Sequence, residues 1–208
     1  MSAKNPRNPI ALKISTDDIR SHATSDPIYR IHTVQGQHPM PWNGLREVGP
    51  LPQMRWDPQP LPRGLHSGIG VAYCATDPTT AFAEVFQSRR KVRLSADQSF
   101  TAWYPTRPLR LLDLTGIWAT RNGASASLHA APKSTCRAWS RGIHSHPITP
   151  PLDGLYVPST LTLRPMVVLF STAETAFPSA PHFSGLLTHA KTHALAVKAA
   201  HELGWPLI

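Results

Sequence analysis

The chain has 208 residues, 41% of them hydrophobic, enough for a single domain that buries its own core. Lysine and arginine outnumber aspartate and glutamate by 21 to 12, a net charge of +9, so anionic partners such as nucleotides, nucleic acid or an acidic protein are favoured. No apolar run approaches the ~18 residues of a membrane span, the first residues hold no apolar signal core, and two cysteines without CxxC spacing argue against a disulfide framework or a cysteine zinc site; together these features predict a soluble, cytoplasmic protein with reduced thiols.

Residues 1–26 read as a polar leader ahead of a domain over 27–208. A short helix is expected near its end, capped by Ser15 or Thr16 and containing Asp17, Asp18 and Ile19. Pro27–Thr33 alternates as a strand does. Residues 36–53 are rich in glycine and proline and read as a loop. Met54 and Trp56 flank Arg55, which places Arg55 on a short extended piece pointing away from both. Gly68–Ala75 (GIGVAYCA) is the clearest strand, short, β-branched and aromatic. Thr76 or Asp77 then caps a helix with Pro78 in its first turn. That helix, over 79–89, carries Phe82, Val85 and Phe86 on one stripe and Glu84 on the opposite side with Thr80, Ala83 and Gln87. The basic run Arg89-Arg90-Lys91 with Arg93 suits a helix C-terminus.

Leu109–Leu114 is a further strand, and a helix is expected over 127–141, interrupted or delayed by Pro132. Asp153-Gly154 reads as a turn before Leu155-Tyr156-Val157. Pro165–Ser171 is a buried strand with proline at its first position, where proline is tolerated. A last helix over 188–203 ends at Gly204 and Pro206. Strands and helices do not alternate as regular βαβ units, which favours an α+β fold over a doubly wound one. No GxGxxG follows a strand, so a Rossmann site is not expected.

Four elements occur in a telling order: Tyr29-Arg30; Arg55-Trp56; Tyr73 in VAYCATDPTTAFAEVF, which also holds Glu84; and Ser159 in DGLYVPST. This order resembles the RES-domain family, named for an arginine, a glutamate and a serine. Over roughly 28–170 the chain matches the family's Arg-Trp pair, its VAYCA-like strand, its AEV-bearing helix and its late Asp-Gly element. It departs at Asp57, where the family commonly has asparagine, at Pro52-Gln53-Met54, which replaces a glycine-rich approach, and at Val157, where the family often has tyrosine.

The resemblance implies a fold like that of ADP-ribosyltransferases, with a central, mostly antiparallel split sheet and flanking helices. It also implies cleavage of the nicotinamide–ribose bond of NAD, by hydrolysis or phosphorolysis, with NAD as substrate and no cofactor or metal required. Matched residue by residue, Glu84, Arg55 and Ser159 are the expected catalytic set, and Tyr29, Arg30, Arg55, Tyr73 and Ser159 the expected NAD contacts. Many members are bacterial toxins, so an Xre-type antitoxin is the implied protein partner; a homodimer is compatible with the sequence. ADP-ribosyl transfer onto a protein or nucleic acid is the enzymatic alternative. A nucleic-acid-binding module is the weaker one, because the basic residues are dispersed instead of forming a stripe with interleaved aromatics.

These residue types suit the chemistry on their own terms. Arginine offers a planar fork of donors to phosphate oxygens. Tyrosine offers a ring face and a hydroxyl. Cleaving a cationic N-glycoside passes through an oxocarbenium-like state, which a fixed carboxylate stabilises. Each residue taken singly has a bland reading: a surface arginine, a core tyrosine, an exposed helical glutamate, a turn serine. The remaining constellations are weaker. His189 and His193 have zinc-compatible spacing with His201 further on, but no HExxH or acidic third ligand accompanies them. His144 and His146 read as part of a proline-rich loop where they could touch phosphate, the weaker alternative, and the segment 123–145 has no recognisable motif. No GxSxG elbow is present, and Cys74 inside an apolar strand reads as a small core residue.

Overall fold

The structure, a computed structural model, describes residues 4–208. The two apolar runs foreseen as buried strands form its centre. Val71–Ala75 (β5) and Pro165–Phe170 (β9) pair antiparallel over five residues, from Val71↔Phe170 to Ala75↔Met166. Around them lie β1 (Ile19–His22), β2 (Ile28–Thr33), β6 (Gln98–Trp103), β7 (Leu109–Asp113), β8 (Gly154–Pro158) and β10 (Phe183–Leu186). They build an eight-stranded sheet in the order β1-β7-β8-β9-β5-β2-β6-β10. Only β7 and β8 run parallel. β3 (Val48–Gly49) and β4 (Gly64–Leu65) make a separate two-stranded ribbon.

The sheet splits in the middle. β5 and β2 pair at one position, Tyr29↔Ala75, whereas β2 pairs with β6 along six residues. The halves β1-β7-β8-β9-β5 and β2-β6-β10 therefore diverge from a shared point, and the polar backbone beyond it must find partners in loops. This is the α+β split sheet expected from the sequence.

Period-2 alternation sorts side chains to the two faces. On the larger half, Val71, Leu155, Val157, Val168 and Phe170 pack with Trp118 of α2 (Trp118–Arg121) and with Trp139 and Ile143 of α3 (Lys133–His144). Ala72, Cys74, Val167 and Leu169 face the other way, toward the 3-10 turn Ser171–Ala176. On the smaller half, Ile31 and Phe100 pack with Phe82 and Phe86 of α1 (Pro78–Phe86) and with Ala196, Ala199 and Ala200 of α4 (Ala190–Leu203). The alanines let α4 lie close against the phenylalanines of α1.

Several sequence expectations change. The segment around Asp17–Ile19 is a single 3-10 turn, Thr16–Asp18, followed at once by β1, so the region read as a leader supplies an edge strand over 19–22. β5 begins at Val71, because Gly68 turns the chain at φ +80° and the Gly70 amide donates to Ser171 Oγ. α1 stops at Phe86, leaving the basic run beyond the helix end, with Arg90 at φ +47°. The helix expected over 127–141 is a 3-10 turn, Leu128–Ala130, and then α3, with Pro132 as the break between them. Asp153-Gly154 is not a turn. Gly154 opens β8, and a Cβ there would meet the Val168 carbonyl at 2.0 Å, so close strand approach is what requires the glycine. Asp153 accepts a two-pronged bond from Arg107, at 2.8 and 2.7 Å, and another from the Arg110 amide. The Asp-Gly pair is thus an anchor for β7 and β8. No helix among the described residues is long and apolar enough to cross a membrane.

Candidate active site

A cavity of about 470 Å³ opens where β5 and β2 part, lined by residues of both strands, of α1 and of the 51–57 loop. Its size falls in the usual small-molecule range of roughly 300–1,000 Å³. Of the six residues singled out in the sequence, Tyr29, Arg30, Arg55, Tyr73 and Glu84 line it, and the sixth, Ser159, lies behind Glu84 and bonds to it.

Asp77 caps α1 by accepting from the Thr80 amide, and Pro78 sits in the first turn, as its sequence predicts. Thr80 is buried and its hydroxyl donates to Asp77 and accepts from Thr162. The polar side of α1 is therefore packed against the loop joining β8 and β9, while Val85, assigned to the apolar stripe, is 37% exposed and lines the cavity. The Thr80–Thr162 bond holds Glu84 against that loop.

Within it, Ser159 is 1% exposed. Its hydroxyl donates to Glu84 Oε1 at 2.7 Å and accepts from the amides of Leu161 and Thr162. The two amides leave the serine proton one good acceptor, so the hydroxyl is aimed at the carboxylate. Pro158 and Thr160, on either side of Ser159, line the cavity. Ser159 is thus placed to act through Glu84.

Burial pushes the Glu84 carboxyl above its ordinary range; the Ser159 bond, the charge of Arg55, the Gln87 amide and the charge of Lys133 pull it back down. Desolvation disfavours the charged form and donors or cations favour it. The net direction is upward: the neighbours offset only part of the burial penalty.

Arg55 lies on a bend. The extended piece expected there does not form, because the loop 51–57 is tied from several sides. Its Nη1 donates to the Ala131 carbonyl and contacts Cys136 Sγ at 3.6 Å. Tyr73 lines the cavity, but its hydroxyl is engaged: it accepts from the Trp56 amide at 2.9 Å and donates to Asp57 Oδ1 at 2.8 Å. Burial and the Asp57 charge hold the phenol well above its usual range. Asp57 is fully buried and also accepts from Arg46 Nη2 at 2.6 Å and from the Leu51 amide at 2.7 Å.

On β2, Tyr29 leans on Phe100 with ring centroids 5.8 Å apart. Arg30 points to the opposite face, where Nη1 donates to the carbonyls of Trp42 and Gly44, both at 2.8 Å. Burial lowers its pKa. Next along the strand's same face, His32 Nδ1 donates to the Met40 carbonyl at 2.8 Å, which leaves Nε2 to accept from Thr101. Arg30 and His32 thereby hold three carbonyls of the 40–44 segment, of which Met40 lines the cavity, so the Arg30 guanidinium has a framework role where a nucleotide contact was expected.

Residues the sequence did not single out include Arg46, Asp57 as a buried anchor, and Lys133, which lines the cavity from the start of α3. The available signal was the polar spacing Lys133, Cys136, Arg137, Ser140, one face of a helix at i, i+3, i+4 and i+7. The histidines set aside have structural work. His189 accepts from the Lys191 amide at the start of α4, His144 packs edge-on against Phe170 at 5.1 Å, and His146 bonds to the Leu12 carbonyl. Cys74 is 3% exposed and burial pushes its thiol up to about 11. Among the described residues no three His, Cys, Asp or Glu side chains gather as a metal cluster would.

Fold and site define an α+β split-sheet protein with a serine-held glutamate and an arginine at the split. The RES domain pattern matches residues 27–192, and the chain belongs to that family. Among solved structures it is similar to a chain of the M. tuberculosis MbcT–MbcA toxin–antitoxin complex, with TM-score 0.54 and 17% identity over 85% of this chain and 92% of that one. A comparison with curated proteins finds no match.

Proposed function

We propose that the chain cleaves the nicotinamide–ribose bond of NAD and acts as the toxin of a toxin–antitoxin pair. The observation that carries the chemistry is the Ser159–Glu84 pair facing the cavity with Arg55 and Lys133 near the carboxylate. Membership of the RES family, and a fold shared with a chain of a toxin–antitoxin complex, support the toxin reading and an antitoxin as partner.

In this reading Arg55 and Lys133 hold the anionic pyrophosphate, and the Tyr29 and Tyr73 rings offer flat apolar contact to the bases. As the bond from ribose C1′ to the pyridinium nitrogen breaks, its electron pair neutralises the ring, so nicotinamide leaves without a general acid. Positive charge grows on the ribose, and the Glu84 carboxylate, fixed beforehand by Ser159, stabilises it. Water or phosphate then bonds to C1′; with water, the released proton passes to solvent. NAD is substrate, and the step draws on no further cofactor. Transfer of the same ADP-ribosyl group to a macromolecule is the second reading, favoured only by the chain's net charge of +9.

The test is incubation of pure protein with NAD, with and without phosphate, and product identification by chromatography. Nicotinamide release with ADP-ribose or its 1-phosphate as co-product is expected. Folded protein that releases none refutes the reading, and adenylate label appearing on a macromolecule replaces it with transfer.

Ser159→Ala gives a finer expectation. The Ser159 bond favours ionised Glu84, so its loss raises the Glu84 pKa further. The acidic limb of the pH–rate profile moves to higher pH, by up to about one unit for a charge-assisted bond partly replaced by water. A limb that stays in place would show that Ser159 does not act through Glu84.

A further inference from the structure

We propose that Arg137, on α3, is a positioning residue for Arg55, acting through the backbone that carries it; this rests on the reading of Arg55 as an anion contact for NAD. Arg137 Nη1 donates to the carbonyls of Leu51, Pro52 and Met54, at 3.3, 3.0 and 2.8 Å. One turn further on, the buried Ser140 hydroxyl donates to the Trp56 carbonyl at 2.8 Å. The same helix and the turn before it take the Arg55 side chain, through the Ala131 carbonyl and Cys136 Sγ. α3 therefore grips loop 51–57 by its carbonyls and by the Arg55 guanidinium at once.

The amides of that loop are held from the sheet side. Asp57 takes the Leu51 amide and the Tyr73 hydroxyl takes the Trp56 amide. Donors from α3 meet the carbonyls, and acceptors anchored to β5 meet the amides. A loop without regular structure thus has its backbone groups satisfied on two sides, and the residue between Met54 and Trp56 inherits that rigidity. Arg137 is the largest single contributor on the carbonyl side, with the two N–H groups of one nitrogen shared among three carbonyls. A fixed guanidinium contributes more to binding than a free one because little freedom is lost when the anion arrives.

The alternative is an arginine that merely stabilises a loop. A thermodynamic cycle on Arg55 and Arg137 separates the two. Four proteins are compared: wild type, Arg137→Gln, Arg55→Ala and the double variant. The affinity of each for ADP-ribose, an uncleavable probe, is measured by calorimetry, and KM and kcat for NAD are measured on the first two. Arg137→Gln is expected to weaken ADP-ribose binding and raise KM about tenfold, near 1.4 kcal/mol, with kcat changed less than about threefold. Combined with Arg55→Ala it is expected to add nothing, because its effect passes through Arg55. Arg137→Lys, a charged donor without the planar fork, is expected to recover part of the loss and carries the same cycle if the glutamine variant does not fold. Additive losses, or unchanged affinity, overturn the proposal. If wild type neither cleaves nor binds, the NAD reading fails and the clamp is judged by amide hydrogen exchange at Leu51 and Trp56. Exchange about tenfold faster in Arg137→Gln, a change near 1.4 kcal/mol in local opening, supports it, and unchanged exchange overturns it.

Discussion

Glu84→Gln is expected to reduce nicotinamide release on the order of 10³-fold, the upper end of what removing one preorganised charge-stabilising group costs, while the protein stays folded. Glutamine keeps the size and an oxygen to accept the Ser159 hydroxyl, so packing at the split is preserved. What it lacks is the charge that meets the ribose cation. The stability prediction has a definite sign. Burial raises the Glu84 pKa, so the unfolded chain holds the ionised carboxylate more comfortably than the folded one does. That penalty is present above the raised pKa and is relieved as pH falls through it. Glu84→Gln is therefore expected to melt at the same temperature or higher at neutral pH, and the variant's advantage is expected to shrink as the buffer is acidified toward the carboxylate range. Scanning calorimetry at several pH values, beside the turnover assay, checks both. Near-normal turnover would remove Glu84 from the chemistry; a large drop in melting temperature at neutral pH would show that its charge supports the fold.

Asp57→Ala is expected to cost about 3–5 kcal/mol, the range for breaking a buried ion pair by removing one partner. Asp57 is 0% exposed and accepts from Arg46, the Leu51 amide and the Tyr73 hydroxyl. Alanine leaves an arginine, an amide and a phenol without that acceptor. At roughly 2–4 °C per kcal/mol for a chain of this length, the melting temperature falls by about 6–20 °C. Asp57→Asn keeps one of the two acceptor oxygens, so it loses the charge opposite Arg46 and the acceptor for either the Leu51 amide or the Tyr73 hydroxyl; a drop smaller than that of alanine is expected. Denaturant melts of the two variants order the effects, and equal stability of Asp57→Ala and wild type would show that the network contributes nothing net. The same change loosens the Trp56 end of the Arg55 loop, so NAD turnover is expected to fall with it even at temperatures where the protein remains folded.

The opposite signs expected for the two acidic residues come from their surroundings. Asp57 has a cation, an amide and a hydroxyl arranged on its two oxygens. Glu84 has a short bond to one serine, a longer one to Gln87, and an open cavity beside it. The first is arranged for holding the fold, the second for holding charge against a substrate, in line with the usual trade between stability and activity at functional sites.

The order of residue types was enough to make legible the central pair of strands, α1 with its Asp77 cap, the end of α4 at Gly204, and the four motif elements whose residues meet at or beside the cavity. Those signals are local: apolar runs, a capping residue before proline, and residue types that suit one chemistry. It did not reveal β6 or β10. β6 is buried on both faces along most of its length, which erases alternation, and β10 reads Phe-Ser-Gly-Leu, too weak in strand formers to stand out. It misread Asp153-Gly154 because that pair has the composition of a turn, while the requirement was room for the Val168 carbonyl. What the polar side of α1 packs against was decided by Thr162, 82 residues along the chain from Thr80, and the Tyr73 hydroxyl was committed to Trp56 and Asp57 by the path of the 51–57 loop. The roles of Asp57, Arg137 and Ser140 depend on which carbonyls and amides an irregular loop leaves unpaired. Residue types and spacing carry the chemistry of a site; the partners that fix it in place come from distant segments, and only the tertiary structure selects them.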